Sequence, residues 1–201
     1  PGDDTKFRDI ILPHVRANHP IYQVSIYSPG GNVAAAMGIG EQIRLLQTRT
    51  TAPYLEQKIR KNRKYATGKT VCEFKKDTGY MLMPSFSVGK PWCECASACF
   101  LVWASGVVRE GGRMGIHRLY WPGSDFGNLS PADARTQYAQ AQESFTAYLK
   151  KLDVPQTMID RLFATDSHNM HYLSWPEMEL MQSTAERHGL ACLLHEKPFA
   201  G

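Results

Sequence analysis

The hydrophobic pattern of the chain alternates between short strand-like segments and longer helix-like segments. Ile21–Tyr27 alternates in part between apolar and polar residues, which predicts a strand that ends at the turn Pro29–Gly31. Asn32 can cap a helix that follows this turn. The apolar residues of that helix recur at helical spacing: Val33, Ala36, Met37, Ile39, Ile43 and Leu46. A strand, a glycine turn and a helix therefore open an α/β pattern.

The same alternation continues in the second half of the chain. Ser97–Ala104 is an apolar run of helical length, and Met114–Leu119 predicts a short strand. Ser130 begins a long helix, because a capping serine is followed by proline at the first helical position. Its predicted buried stripe consists of Ala134, Tyr138, Ala141, Phe145, Tyr148 and Leu152. The last predicted elements are a helix at Gln156–Phe163, a strand at His171–Leu173 and a helix from Pro176.

Residues 48–92 interrupt this alternation, because a basic amphipathic stretch is followed there by short β-like runs with glycine and proline. We expect these residues to be an insertion within one domain that spans residues 1–201. The composition agrees with one domain, since 201 residues with 43% hydrophobic content suffice for a single buried core.

The charge pattern argues against a nucleic-acid partner. The net charge is +4, and the basic residues cluster at one place, Lys58, Arg60, Lys61, Arg63 and Lys64. Two interleaved tyrosines, Tyr54 and Tyr65, are too few for a platform that stacks on bases. We interpret the cluster as a solvated helix face, with an anionic surface or partner as the alternative. No apolar run approaches the roughly 20 residues of a membrane-spanning helix, so no transmembrane segment is predicted.

The five cysteines indicate an oxidising compartment, because their density exceeds ordinary cytosolic usage. They are Cys72, Cys93, Cys95, Cys99 and Cys192. We expect an oxidised pair, with a bridge from Cys72 to Cys93 or Cys95 as one way to close the loop between them; the pairing itself stays open. In a reducing compartment the same cysteines would be small buried side chains. Pro1–Asp4 is typical of a trimmed start, so the lack of a signal peptide carries no information on location.

Three segments together suggest a serine hydrolase. Residues 28–31, with the sequence Ser-Pro-Gly-Gly, can supply backbone N–H donors to an oxyanion. Ser97 lies between two alanines at a helix start, where a nucleophile is accessible, and His117 follows one helix and one strand later as a general base. Taken alone, Ser97 would be a helix cap and His117 a hydrogen-bonded core histidine. The order of the segments favours the catalytic interpretation.

Other chemistries fit the sequence less well. The Gly-x-Ser-x-Gly elbow is absent, which argues against the α/β-hydrolase fold. A cysteine nucleophile is disfavoured, because Cys99 lies one turn inside the helix and Cys95 lies before it. A metal module formed by Cys93, Cys95, Cys99 and His117 is a further alternative, but this spacing is poor for a tetrahedral site. We therefore expect neither a metal nor another cofactor.

The three segments resemble the Clp peptidase branch of the Clp/crotonase superfamily, and in particular its periplasmic Clp-like members, over residues 5–47 and 93–181. The resemblance implies an α/β fold built as a spiral of ββα units. It also implies that Ser97 is the nucleophile, that His117 is the base, and that the N–H groups of Gly31 and Ala98 form the oxyanion hole. The implied reaction is hydrolysis of a peptide or protein substrate through an acyl-enzyme. An exported, periplasmic location and a homo-oligomer are implied as well.

The third member of the triad departs from the family pattern. In Clp peptidases an aspartate precedes a Phe/Tyr-Leu-Ser run, and this chain has that run at residues 172–174 but Met170 at the aligned position. Asp166 lies in the preceding loop and is predicted to complete the triad, with Asn169 or His168 as weaker substitutes. A Ser–His dyad is another possibility. Loss of efficient catalysis would leave a binding or scaffold protein. The insertion at residues 48–92 predicts a smaller oligomer than the double ring of the family.

Overall fold

The computed structural model describes residues 2–56, 71–76, 79–82, 94–120 and 129–187. The basic cluster at residues 58–64, Cys93 and Cys192 lie outside these ranges, so the predictions for them stay predictions. The described residues form a mixed α/β protein, as the alternating pattern predicts.

Helices and strands alternate along the chain. The helices are α1 (Asp3–Arg16), α2 (Val33–Leu46), α3 (Ala98–Ala104), α4 (Pro131–Lys151), α5 (Gln156–Ala164) and α6 (Trp175–Arg187). The strands are β1 (Gln23–Ser25), β2 (Arg49–Thr51), β3 (Tyr54–Glu56), β4 (Val71–Lys76), β5 (Gly79–Leu82), β6 (Cys95–Ala96), β7 (Val108–Glu110), β8 (Met114–Ile116) and β9 (His171–Tyr172).

The described residues form three small sheets. The first is parallel, in the order β1-β2-β7. The second has the order β6-β8-β9, with β6 and β8 parallel and β9 antiparallel, and a bridge from Ser28 to Cys95 extends it. Along the chain, β1 is followed by the Ser28 bridge and then α2. In the same way β2 precedes β6 and α3, and β7 precedes β8 and α4. A separate antiparallel sheet contains β3, β4 and β5.

Local capping explains why the two clearest predicted helices begin where they do. The Asn32 side chain accepts a hydrogen bond from Ala35 N at 2.9 Å at the start of α2. The Ser130 hydroxyl accepts one from Asp133 N at 3.2 Å at the start of α4. Both predicted helix starts are confirmed.

The buried stripe predicted for α4 is correct only in its second half. Phe145 and Tyr148 are buried there, together with Leu149, which the pattern did not include. The predicted positions Ala134, Tyr138 and Ala141 in the first half are half-buried. The stripe therefore overestimates how much of this helix enters the core.

The structure corrects the start of the predicted insertion. Arg49–Thr51 is the central strand of the first sheet, where it pairs with β1 on one side and β7 on the other. A strand of three residues is too short to produce a recognisable alternation, so the pattern set the boundary at residue 48 too early. Helix α1 was not predicted either. None of its residues is buried.

Helix α3 is the centre of the core, and all seven of its residues are buried. It packs against α2 as well as against β2, β6 and β8. A helix that is apolar on every side is stable only when other elements surround it. The residue that precedes α3, Ser97, is thus attached to the most enclosed element of the molecule.

Arg109 is a buried cation that joins three parts of the fold. It is 2% exposed, and its guanidinium donates to the carbonyl oxygens of Gly106, Met181 and Leu152. Burial, together with the charge of Arg44, lowers the pKa of Arg109 to about 10, although Asp153 opposes the shift. The hydrogen bonds connect β7 to the C-terminal end of α4 and to the middle of α6.

We expect Arg109→Leu to lower the free energy of unfolding by about 3 kcal/mol, because buried carbonyl oxygens lose their charged donor. Urea denaturation followed by circular dichroism measures this change. The control is Lys151→Leu, which removes a cation with a side chain 60% exposed and paired with Glu41. That control should change the stability by less than about 1 kcal/mol. Equal effects of the two variants would contradict the role given to Arg109.

Candidate active site

The second sheet brings the three predicted segments together. Ala96 N donates to Ser28 O at 2.9 Å, which joins the glycine turn to β6. Ser97 N donates to Gly115 O at 2.9 Å, which joins the start of α3 to β8. His117 is the residue directly after β8. The turn at residues 28–31, the candidate nucleophile and the candidate base are therefore neighbours, although they are far apart in the sequence.

Ser97 has a backbone conformation that residues other than glycine rarely adopt. Its φ of 55° and ψ of −125° place it in the left-handed half of the Ramachandran map, at the junction of β6 and α3. Such conformations cost roughly 1–3 kcal/mol and cluster at functional sites. The Ser97 side chain makes no capping hydrogen bond to α3. Ser97 thus occupies the N-cap position of α3, but its hydroxyl is not used as a cap.

Gly30 provides the space that this turn requires. A Cβ atom at Gly30 would lie 2.7 Å from Ser97 Cβ and 3.3 Å from Ala96 O. In a nucleophile elbow, glycines near the serine in sequence allow the sharp strand-to-helix turn. Here alanines flank Ser97, and the glycine comes from another segment. The sequence lacks the elbow motif, but the strand, turn and helix of an elbow are present.

A disulfide between Cys95 and Cys99 encloses Ser97. The two sulfur atoms are 2.05 Å apart, and the cysteines are 0% and 4% exposed. The expected oxidised pair is confirmed, whereas the suggested bridge from Cys72 to Cys95 is wrong. Cys99 lies in the first turn of α3, and its Cα is 5.2 Å from that of Cys95, which is a normal disulfide separation. Because the two sulfurs bond to each other, neither cysteine is available here as a thiolate nucleophile or metal ligand.

Breaking this disulfide is expected to lower the free energy of unfolding by about 2 kcal/mol, since a closed loop of few residues restrains the unfolded chain. Cys95→Ala, Cys99→Ala and the double variant should lose similar amounts, because either single change already opens the bridge. Guanidinium denaturation of the three variants measures this. A double variant that loses the sum of the two single losses would contradict the bridge.

The hydrogen bond at His117 determines which ring nitrogen carries the proton. Nδ1 of His117 lies 2.6 Å from the carbonyl oxygen of Arg118. A carbonyl oxygen only accepts hydrogen bonds, so Nδ1 is the protonated nitrogen of the neutral ring. The lone pair on Nε2 is then free to accept a proton. This is the state that a general base requires.

One cavity of about 280 Å³ contains the candidate groups. Gly31, Ser97, Ala98 and His117 line it. Its apolar wall includes Val33, Phe100, Leu101, Ile116, Phe145 and Leu162. Within the described residues, nothing accepts a hydrogen bond from the N–H groups of Gly31 and Ala98. Within the same residues, no hydrogen bond joins Ser97 Oγ to His117.

Asp166 contacts other partners than the imidazole. Its carboxylate accepts hydrogen bonds from Arg118 Nη2, from His168 N at 2.9 Å and from the His168 ring at 3.0 Å. The hydrogen bonds from His168 lower the pKa of Asp166, burial opposes this shift, and the charge of Arg118 lowers the pKa further. Among the described residues, none of Asp166, His168 and Asn169 bonds to His117. The structure thus bonds Asp166 to Arg118, the residue after the predicted base, and gives it no hydrogen bond to the imidazole within the described residues.

Met170 stands at the position where the family pattern has an acid, and its side chain is close to the base segment. Its sulfur would lie 2.7 Å from a Cβ atom at Gly115, which means that the thioether lies against that glycine. A side chain at position 115 would therefore require Met170 to shift. An apolar thioether cannot serve as the acid of a triad.

Three features of the site were not identified from the sequence: the pairing of Cys95 with Cys99, the approach of Gly30 to Ser97, and the carbonyl of Arg118 as the partner of His117. The symmetric placement of Cys95 and Cys99 around Ser97 was a visible signal for the first. The other two depend on contacts between distant segments, for which one sequence contains no signal.

Comparison of the chain with protein-family models and with curated proteins returns no match. The resemblance to the Clp/crotonase superfamily therefore depends on the motifs alone and stays a prediction. No helix in the described part of the chain is both long enough and apolar enough to cross a bilayer.

Proposed function

We propose that this protein is a serine hydrolase of the Clp/crotonase type that cleaves peptide or protein substrates. The observation that carries the proposal is the conformation of Ser97. This residue occupies a left-handed turn, its hydroxyl does not cap the helix, and it lines the same cavity as His117 and Gly31. Strain that the surrounding structure maintains at a polar residue in a cavity is typical of active sites.

The arrangement of the strands supports the proposed spiral of ββα units. The first sheet takes β1, β2 and β7 in chain order, and the second takes Ser28, β6 and β8 in the same order. Each pair of strands precedes one helix, α2, α3 or α4. Such a repeat stacks one unit on the next, and it brings the turn of the first unit beside the nucleophile of the second.

The proposed reaction begins with attack of Ser97 Oγ on the carbonyl carbon of the substrate. The hydroxyl proton passes to His117 Nε2 as the new C–O bond forms. The N–H groups of Gly31 and Ala98 donate to the oxyanion of the tetrahedral intermediate. When the C–N bond breaks, the leaving amine takes the proton from Nε2. Water then attacks the acyl-enzyme, gives one proton to Nε2, and releases the acid with return of the proton to Ser97.

The proposals for location and assembly depend on one observation and on the resemblance, respectively. The Cys95–Cys99 disulfide supports an exported, periplasmic protein, because such bonds persist in oxidising compartments. A homo-oligomer is proposed from the resemblance alone.

A catalytically weak scaffold protein of the same fold is the second candidate. Two observations favour it: within the described residues Ser97 Oγ has no hydrogen bond to His117, and Asp166 bonds to Arg118 and His168 instead of the imidazole. In triad enzymes, loss of the orienting acid lowers kcat by about four orders of magnitude while the geometry survives.

Labelling with a fluorophosphonate probe, followed by intact mass, tests the proposal. The wild type should gain the mass of one probe, and Ser97→Ala should gain none. Ser167→Ala is the matched control, because Ser167 also lines the cavity, and it should label as the wild type does. Labelling that persists in Ser97→Ala would refute the role of this serine. A folded wild type that does not react would favour the scaffold.

A further inference from the structure

Arg118, the residue after the candidate base, bonds to His117 at one point and to the neighbouring loop at two. The Arg118 carbonyl accepts the Nδ1–H of His117 at 2.6 Å. Arg118 N donates to Thr165 O at 3.0 Å, and the guanidinium forms an ion pair with Asp166. The backbone and the side chain of Arg118 are thus both bound to residues 165–166, which belong to the loop after α5.

The loop that receives Arg118 is itself well ordered by hydrogen bonds. Thr165 N donates to Arg161 O at 3.1 Å, which fixes the loop to the end of α5. Asn169 N donates to Asp166 O at 3.0 Å, and His168 donates to the Asp166 carboxylate through its backbone N–H. Hydrogen bonds within its own loop therefore hold Asp166 in addition to its ion pair with Arg118.

We propose that Arg118 is a positioning residue for His117 and that Asp166 acts through Arg118 rather than as a direct member of a triad. This inference rests on the proposed function. The Arg118 carbonyl takes the place of the acid, because it fixes the imidazole with the proton on Nδ1 and leaves Nε2 for Ser97. The ion pair with Asp166 and the bond to Thr165 hold that carbonyl in place.

The size of the effect distinguishes the two roles of Asp166. An acid that bonds directly to the catalytic imidazole contributes about four orders of magnitude to the rate. The ion pair of Arg118 and Asp166 is 44% and 41% exposed, and exposed pairs restrain their neighbours only weakly. Removal of this pair shifts the Arg118 carbonyl but leaves it present as an acceptor for His117. We therefore expect labelling of Ser97 to slow by about tenfold.

The test measures the rate of fluorophosphonate labelling in Asp166→Asn, in Arg118→Met and in the double variant. Each single variant should be about tenfold slower than the wild type, and the double variant should be no slower than the slower single, since both break one interaction. Arg118→Lys should recover most of the rate. Glu41→Gln, which removes a remote exposed ion pair with Lys151, is the matched control and should label normally. A loss of about four orders of magnitude in Asp166→Asn would overturn the proposal, and so would no loss at all.

A second readout does not depend on activity. Nitrogen-15 NMR of the histidine rings reports which nitrogen of neutral His117 carries the proton. We expect Nδ1–H in the wild type and a larger share of Nε2–H in Asp166→Asn and Arg118→Met. A wild type with Nε2–H would overturn the positioning role. If the wild type shows Nδ1–H but does not react with the probe, the positioning role is supported and the hydrolase proposal fails by itself.

Discussion

Replacement of His117 with alanine is expected to slow fluorophosphonate labelling of Ser97 by about four orders of magnitude. A serine hydroxyl is a weak nucleophile until a base accepts its proton. His117 is the one histidine among the described residues that lines the cavity with Ser97, and its Nδ1–H bond to Arg118 leaves Nε2 free for this task. The measurement is the second-order rate of probe incorporation, followed by intact mass at several probe concentrations.

The control for this prediction is His14→Ala, which removes an exposed histidine from α1, far along the chain from the site. It should label at the rate of the wild type. Thermal unfolding of both variants verifies that the fold is retained. If His117→Ala reacts as fast as His14→Ala, another group activates Ser97 and the assignment of the base is wrong.

Gly30→Ala is expected to slow the labelling of Ser97 by about 100-fold, because a methyl group at this position competes with Ser97 for space. The new Cβ atom would lie 2.7 Å from Ser97 Cβ, and the φ of 126° at Gly30 adds backbone strain. Ser97 or the glycine turn must shift, and a displacement of about 1 Å near reacting groups can cost about 100-fold. The same labelling rate measures the effect.

Gly31→Ala separates the steric effect from the backbone strain. Gly31 also has a positive φ, 154°, but a Cβ atom there would meet no heavy atom within 4 Å. Both variants keep the backbone N–H that the oxyanion needs. We expect Gly31→Ala to be clearly faster than Gly30→Ala. Equal rates would show that backbone strain alone accounts for the loss and that the approach of Gly30 to Ser97 has no effect.

The sequence predicted those elements whose signals are local. The caps at Asn32 and Ser130 depend on one side chain and the next few backbone N–H groups, and both helices begin where expected. The apolar run after Ser97 predicted α3 for a similar reason. Strand β2 was missed because three residues contain too little alternation, and its place in the sheet depends on partners elsewhere in the chain.

The sequence predicted which residues meet at the candidate site better than it predicted the hydrogen bonds between them. The order of the glycine turn, Ser97 and His117 along the chain suggested that they meet, and the second sheet brings them together. The partner of Asp166 was not predictable, since the choice between His117 and Arg118 depends on the path of one loop. The left-handed backbone of Ser97 has no sequence signal, because alanines rather than glycines flank this residue.

The parallel pairing of Ser28, β6 and β8 has a consequence for the chain during its synthesis. These pieces are far apart in sequence, and strands that pair across such separations meet late, after long loops have closed. The cavity around Ser97 therefore forms only once residues beyond β8 have joined the folded core. A chain that ends after His117 lacks Phe145, Leu162 and Ser167, which also line the cavity, so under the proposed function it would carry the serine and the histidine without a complete site.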